Sequence, residues 1–120
     1  MYEIEEIEKL KDAPKKVTYK FANKGSEWAL INLKAGAVAG EHYHKGTSKI
    51  KNPEILIQIS GKAEYFFKDM LSGKQEKIIV ESPNIIKINP NVYHEVKAIE
   101  DIILLEQYSE DGEKDKFDLR

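Results

Sequence analysis

The strongest constraint on the fold of this chain is a series of short β-rich stretches that recur along it at close intervals. Turn-forming residues separate them, among them Ser60 with Gly61 and Ser72 with Gly73. The nine stretches cover residues 17–21, 28–33, 38–44, 54–60, 63–67, 77–81, 85–88, 92–98 and 101–108. Short strands repeated about every 8 to 12 residues, with hardly any helix, are typical of an antiparallel sandwich or barrel. The sequence therefore predicts an all-β fold.

The two ends of the chain depart from this pattern. Ile4, Ile7 and Leu10 are spaced by three with acids between them, which predicts a short amphipathic helix over residues 3–11. An edge strand is the alternative, because so short a helix is marginal without packing. Residues 110–120 are dominated by charge and predict a solvated extension or frayed end. At 120 residues the whole chain is expected to form a single domain.

Composition limits the compartment and the kind of metal site. The chain has no cysteine, which excludes disulfides and thiolate ligands and fits a reducing compartment. Any metal site is therefore restricted to histidine, carboxylate and water. Residues 1–10 are acidic and lack the pattern of a signal peptide, and no apolar run approaches the roughly 20 residues that cross a bilayer. We expect a soluble, cytoplasmic protein.

The net charge limits the kinds of molecule that the protein is expected to bind. The net charge is −2 with both signs mixed along the chain, which gives no reason to expect nucleic acid or an anionic membrane. A small neutral or weakly charged ligand is the expected partner. The only arginine is Arg120, so a nucleotide diphosphate would have to be held by lysines and backbone amides.

The three histidines suggest chemistry. His42 and His44 are separated by one residue, so their side chains share a face only if the backbone is an extended strand. Two imidazoles on one strand face form half of a metal site. Neighbouring strands would have to supply the other ligands, and Glu54 and His94 are the candidates.

Each of these two additional ligands has an alternative interpretation. A lone histidine such as His94, on a strand face with apolar residues, is usually a satisfied core residue. The presence of two more inward histidines favours the ligand interpretation, because three buried imidazoles without a shared partner would each carry a desolvation cost. Glu54 is either the anionic ligand or an edge carboxylate paired with a lysine of loop 45–53. That loop is expected to lie at the mouth of the cavity.

The spacing of these residues resembles the first motif of the cupin superfamily: Gly, five residues, His-x-His, three or four residues, Glu, six residues, Gly. Here five residues separate Gly36 from His42, and six residues separate Glu54 from Gly61. The departure is in the middle, where nine residues separate His44 from Glu54.

The second cupin motif, Pro-x-Gly-x-x-His with a later Asn, is less complete in this chain. His94 is present, Asn91 replaces the glycine, Pro90 stands one position late and Ala98 occupies the Asn position. Asparagine tolerates the left-handed backbone that the glycine supplies, so the turn is compatible with this sequence.

The resemblance spans residues 28–108 or so and implies a cupin-type double-stranded β-helix, a jelly-roll barrel that is usually dimeric. It also implies a divalent metal ion such as Zn, Mn, Fe or Ni, bound by His42, His44, Glu54 and His94. The apolar run 102–105, with no polar face, independently favours a homodimer. The hexapeptide 40–45 is similar to small single-domain cupins of sugar modification, including nucleotide-sugar isomerases and capsular-polysaccharide proteins.

Three further residues are candidates for catalysis. Glu106 shares a predicted strand face with Ile102 and Leu104, where a carboxyl would have a raised pKa and could act as a base. Tyr65 and Tyr108 could donate to a substrate hydroxyl, or they could simply pack in the barrel with the hydroxyl at its rim. Gln58 is a candidate partner for a metal ligand.

These features lead to three functional hypotheses. The first is a metal-dependent enzyme acting on a small carbonyl or sugar substrate by proton transfer, as an isomerase or epimerase does. The second is a metal-dependent binding or sensing module without turnover. The third is oxygen-dependent cleavage with Fe at the same ligands.

Overall fold

The protein is a sandwich of two antiparallel sheets in a computed structural model that describes residues 1–119. One sheet has six strands in the order β1-β2-β3-β10-β5-β8, and the other has four in the order β4-β9-β6-β7. The strands are β1 Glu8–Ala13, β2 Lys16–Asn23, β3 Ser26–Leu33, β4 Val38–His42, β5 Glu54–Ser60, β6 Lys62–Asp69, β7 Gln75–Glu81, β8 Asn84–Ile88, β9 Val92–Ala98 and β10 Ile102–Gln107. All nine predicted β-rich stretches form strands, and the jelly-roll architecture is confirmed.

The core lies between the two sheets and is built largely by alternation of side chains along the strands. On β9, His94, Val96 and Ala98 are each about 1% exposed, whereas Lys97 between them faces solvent. On β10, Ile102 and Leu104 face the same interior. Because alternate side chains of a strand point to opposite faces, this register fixes which polar residues enter the core.

The face of β5 that points into the sandwich carries polar side chains, whereas the isoleucines of this strand lie on the opposite face. Glu54 and Gln58 are buried with Leu56, while Ile59 is 43% exposed on the outer face of the six-stranded sheet. Burying two polar side chains in place of isoleucines is costly unless they are satisfied. The register of β5 therefore indicates that both polar groups have a role inside the molecule.

The N-terminal helix prediction is wrong, and the edge-strand alternative is correct. Residues 1–7 have no regular secondary structure, and Glu8–Ala13 forms β1, which pairs antiparallel with β2. All six residues of β1 are exposed, so this segment has no surface against which an amphipathic helix could pack. Hydrogen bonding to the edge of the sheet satisfies its backbone instead.

The prediction of a solvated or frayed C-terminal tail is only partly correct for the described part, 110–119, since most of these residues are exposed but the segment is docked. Residues Glu110–Lys114 form a short helix, α1, and Asp115 is only 3% exposed. Phe117 pairs with Tyr43 through two backbone hydrogen bonds of 2.8 and 2.9 Å. Arg120 lies outside the described residues. Within residues 1–119 no helix has the length and apolar character needed to cross a membrane.

Candidate metal centre

His42 reaches the interior through a β-bulge at the end of β4. The pairing of β4 with β9 shifts register between Gly40 and His42, and Glu41 in between has a positive φ of 64°. The bulge changes which side chains face inward, so that both Ala39 and His42 line the interior cavity. His42 lies opposite His94 in this pairing, with their ring centroids 4.7 Å apart.

Gly40 allows the two strands to approach at this point. Its φ is +87°, and a Cβ at this position would lie 2.8 Å from the backbone oxygen of His94 and 3.3 Å from Cδ2 of its ring. Any other residue would push the ring of His94 or the strand away. Glycine is therefore required for the close contact between the two histidine-bearing strands.

His44 lies just beyond β4 and is held by the C-terminal tail. Its Nδ1 donates to the backbone oxygen of Asp115. The carboxylate of Asp115 accepts hydrogen bonds from the backbone N–H groups of Lys45 and Gly46, at 2.9 Å each, and of Ser48 at 3.2 Å. Burial raises the pKa of Asp115, but these N–H groups outweigh it and the net shift is downward. A single tail residue thus fixes both His44 and the start of loop 45–53.

Glu54 lies among the histidines despite the nine-residue separation from His44. Its carboxylate is 2.7 Å from Nε2 of His44 through one oxygen and 3.4 Å from Nε2 of His94 through the other. The ligand atoms of His42, Glu54 and His94 all lie within 4.8 Å of one another, which makes these three a group able to hold a metal ion. His44 lies next to this group, because its Nε2 contacts Oε2 of Glu54.

The hydrogen bonds of the three rings fit a cation. Each Nδ1 contacts a backbone carbonyl: His42 with Gly40 at 2.9 Å, His94 with Val92 at 3.3 Å, and His44 with Asp115. A carbonyl oxygen only accepts, so Nδ1 carries a proton, and in the neutral ring Nε2 presents a lone pair. In that form the lone pairs of His44 and His94 point at the carboxylate of Glu54, and within residues 1–119 neither Nε2 of His44 nor Oε2 of Glu54 has a hydrogen-bond partner. Buried lone pairs that face one another in this way suit a bound metal ion, with the carbonyls orienting the ligands.

The electrostatics favour the ligand forms of these side chains. Burial, together with the neighbouring His94, lowers the pKa of His42 to about 3, so its imidazole is neutral near pH 7. Burial raises the pKa of Glu54, but the contacts with His44 and His94 and the charge of Lys51 lower it well below its usual range. Neutral imidazole and ionised carboxylate are the states that bind divalent metals.

A cavity of about 100 Å³ opens beside this group. Glu106 lines it, and burial raises the pKa of its carboxyl, opposed by the charge of Lys51. The ammonium of Lys51, a residue only 5% exposed, lies 3.9 Å from Glu54 and 4.0 Å from Glu106. It also donates to the backbone oxygen of Gln107 at 3.0 Å. A carboxyl with a raised pKa next to a metal site is a candidate for proton transfer.

The other predicted catalytic residues lie elsewhere. Tyr65 is fully buried in the core, and its hydroxyl donates to Oε1 of Gln58 at 2.8 Å. Gln58 in turn donates to backbone oxygens of Gly61 and Val80, so it is a partner for Tyr65 rather than for a histidine. Tyr108 lies under the ammonium of Lys20, at 4.4 Å. Neither tyrosine lines the cavity, which fits the packing alternative for both.

Three residues near the site were not predicted as parts of it: Lys16, Asp115 and Lys116. None of them has a local sequence signal, because lysines and acids occur along the whole chain. Lys51 belongs to loop 45–53, whose lysines were predicted as possible partners of Glu54, and it lies 3.9 Å from that carboxylate. Phe117 is the one residue that could have indicated docking of the tail, as an aromatic side chain in an otherwise charged segment. Its ring lies 5.7 Å from that of Tyr43.

No family model and no curated protein matches this sequence. Solved structures do match. The capsular polysaccharide assembling protein CapF from Staphylococcus aureus superposes with a TM-score of 0.75 at 15% identity, covering 98% of this chain and 32% of CapF. An oxalate decarboxylase from Lactobacillus farciminis in a formate complex gives 0.67 at 17% identity, covering 94% of this chain and 34% of that chain.

A Bacillus subtilis oxalate decarboxylase matches in the same range, with a TM-score of 0.68 at 17% identity over 94% of this chain and 30% of that one. The chain thus spans about a third of the length of these proteins, and at such identities the likeness establishes the fold alone. CapF and the oxalate decarboxylases are cupins. The two-sheet topology, these matches and the clustered His42, Glu54 and His94 identify the chain as a protein of the cupin fold with a candidate metal site.

Proposed function

We propose that this protein is a metal-dependent enzyme that acts on a small carbonyl compound by proton transfer. His42, Glu54 and His94 would hold a divalent cation, with His44 as the fourth ligand. Glu106 would be the base. The ligand set of imidazole and carboxylate suits Zn, Mn, Fe or Ni and does not choose among them.

One observation carries this proposal. The rings of His44 and His94 direct their Nε2 atoms at a buried carboxylate, with their Nδ1 atoms bound to backbone carbonyls. Without a metal ion a proton would have to lie between each Nε2 and the carboxylate, and a divalent ion would take that place. Since Glu106 lines the adjoining cavity, a base lies where a bound substrate would be.

The chemistry would divide between the cation and the protein. When bound, the cation would polarise a substrate carbonyl and so acidify the C–H bond beside it. A carboxylate oxygen of Glu106 takes that proton, and the electrons of the C–H bond move toward the carbonyl. Return of the proton from Glu106 to a different carbon, or to the other face of the same carbon, completes an isomerisation or epimerisation without any change in oxidation state.

The cavity favours a small carbonyl compound over a nucleotide sugar. Its volume of about 100 Å³ is well below the roughly 300 to 1,000 Å³ of sites for drug-sized ligands. The similarity to CapF, named for capsular polysaccharide assembly, is the support for a sugar substrate, but it covers only 32% of that protein. We therefore place the substrate among compounds of a few carbon atoms.

The test has two stages. The protein, stripped of metal, is titrated with Zn²⁺ and Mn²⁺ by calorimetry, and we expect one site per chain that His94→Ala abolishes. The loaded protein is then incubated with small ketones, aldehydes and keto acids in D₂O, and exchange of their α-protons is followed by NMR. Glu106→Gln should remove exchange and retain metal binding, whereas the exposed Glu100→Gln should change neither.

The other hypotheses give different results in the same experiments. Metal binding without proton exchange on any compound would contradict the enzyme proposal and favour a binding or sensing module. Consumption of O₂ by the iron-loaded protein would favour oxygen-dependent cleavage. Absence of metal binding would contradict all three.

A further inference from the structure

The wall of the cavity next to the candidate metal centre carries a lysine, Lys16, that forms no ion pair with any residue in the described part of the chain. Lys16 lies on β2 opposite Leu33 of β3, and Thr18 lies opposite Ile31, so this face of β2 points into the sandwich. Lys16 is half-buried and lines the same cavity as His42, His94 and Glu106. No carboxylate of residues 1–119 lies within 4.0 Å of its ammonium.

The other two lysines near the cavity are already paired. Lys51 lies between Glu54 and Glu106 at 3.9 and 4.0 Å. Lys116, on the docked tail, contacts Glu113 at 2.9 Å. Lys16 differs from both because it has no such ion pair among residues 1–119. Burial lowers the pKa of its ammonium, and the charge of Glu106 offsets this only in part. An anion in the cavity would supply the partner that Lys16 lacks among residues 1–119.

We propose that Lys16 forms a subsite for the carboxylate group of the substrate, which would make the substrate a small keto or hydroxy acid. This inference rests on the proposed function and adds the class of its substrate. Lys116 is balanced by Glu113, and Lys51 balances only one of the two carboxylates of Glu54 and Glu106. A divalent cation and Lys16 together outweigh the remaining carboxylate and leave the cavity net positive. A carboxylate is a compact organic group that is negatively charged near pH 7, and its size fits a cavity of about 100 Å³. Its oxygens would accept a charge-assisted hydrogen bond from Nζ of Lys16.

The first experiment compares ligands on the zinc-loaded protein. Pyruvate, its uncharged amide and inorganic phosphate are titrated by calorimetry. Loss of a hydrogen bond between charged groups costs enough to weaken binding about tenfold or more, so we expect pyruvate to bind at least tenfold more tightly than the amide. Equal binding of the amide would overturn the proposal, and phosphate binding as tight as that of pyruvate would overturn the carboxylate class.

The second experiment changes the lysine. Lys16→Gln and Lys16→Met should each weaken pyruvate binding by about tenfold, and Lys16→Met keeps the apolar stem in place. Lys16→Arg should restore most of the affinity because it keeps the charge. Lys20→Gln is the matched control, since Lys20 lies on the same strand but pairs with Glu27 at 3.6 Å and does not line the cavity. Unchanged pyruvate affinity in Lys16→Gln and Lys16→Met would overturn the proposal.

Failure of this inference and failure of the proposed function give different results. If zinc binds to wild type and to every Lys16 variant but pyruvate shows no dependence on Lys16, only the subsite is contradicted. If zinc does not bind to wild-type protein, the proposed function fails and the inference fails with it.

Discussion

Gly40 shows how much of the candidate metal centre depends on a single position. The strand carrying His42 and the strand carrying His94 come close enough for ring contact only because the residue before the bulge has no Cβ. Its φ of +87° adds a second requirement, since left-handed backbone is unfavourable for other residues. Gly40 thus has to be glycine both because of the close contact and because of its positive φ. A positive φ alone also occurs at glycines far from the site, such as Gly73.

Gly40→Ala is expected to lose metal binding and to destabilise the fold. Gly73→Ala is the control that separates the steric contact of an added Cβ from the cost of left-handed backbone. Gly73 also has a positive φ, of +79°, but a Cβ there meets nothing within 4 Å. Gly73→Ala should therefore lower the free energy of unfolding by about 1 kcal/mol, the cost of left-handed backbone for alanine, and leave zinc affinity unchanged. Gly40→Ala should cost a further 1 to 3 kcal/mol or so from overpacking. Urea unfolding and zinc titration of both variants test this, and equal effects would show that the steric contact is unimportant.

Among the elements, the C-terminal tail has the least expected role. It contributes no strand to either sheet, yet its Asp115 holds the backbone of loop 45–53 and, through its own carbonyl, the ring of His44. The methylenes of Lys51 also approach Gly112 of α1, where an added Cβ would lie 3.2 Å from Cε of Lys51. The tail and the loop therefore form one unit that closes over Glu54 and His44.

Asp115→Ala is expected to loosen this unit and weaken metal binding. It removes an acceptor of three backbone hydrogen bonds, a loss of about 2 kcal/mol in the free energy of unfolding. Hydrogen exchange of the amides of Lys45, Gly46 and Ser48 should accelerate, and zinc affinity should fall because His44 is less well oriented. Glu110→Ala in the exposed part of α1 is the control and should change neither measurement. Unaltered exchange at those amides in Asp115→Ala would contradict the assigned role of the tail.

At the scale of the whole molecule, one outer face remains apolar. Tyr19, Leu30, Leu105, Ile57 and Ile85 are paired in turn across five strands of the six-stranded sheet, on the side away from the core. Ile85 is 60% exposed, and the other four are half-buried. A continuous apolar row of this kind marks an interaction surface, and a second copy of the chain would present the same row to it.

We therefore expect a homodimer formed through this face. Sedimentation equilibrium should give twice the mass of 13.8 kDa for the wild-type chain. Ile57→Glu should give a folded monomer, because it places a charge in the middle of the row. Ile79→Glu is the control, since Ile79 is 55% exposed but lies on the other sheet, and it should leave the dimer intact. A monomeric wild-type chain would refute this expectation.

The sequence alone determined nine of the ten strands and the candidate ligands. Turn residues and alternation are local properties, so the nine β-rich stretches were predictable, and so was the inward face of β9 with His94. The His-x-His spacing selected His42 and His44, and His94 followed because it is the only other histidine in the chain. Glu54 was added as the acid at the start of a neighbouring predicted strand, where the resemblance to the first cupin motif also implies it.

Only the tertiary structure decided the rest. The N-terminal segment forms a strand because the edge of β2 offers hydrogen bonds and no apolar surface faces it. The bulge at Glu41, the docking of Asp115 on loop 45–53 and the position of Lys51 between Glu54 and Glu106 all join residues far apart in the chain. Contacts of this kind depend on how the two sheets pack, and charged residues such as Lys16 and Lys51 acquire a place in the site only after that packing has selected which face of each strand is inside.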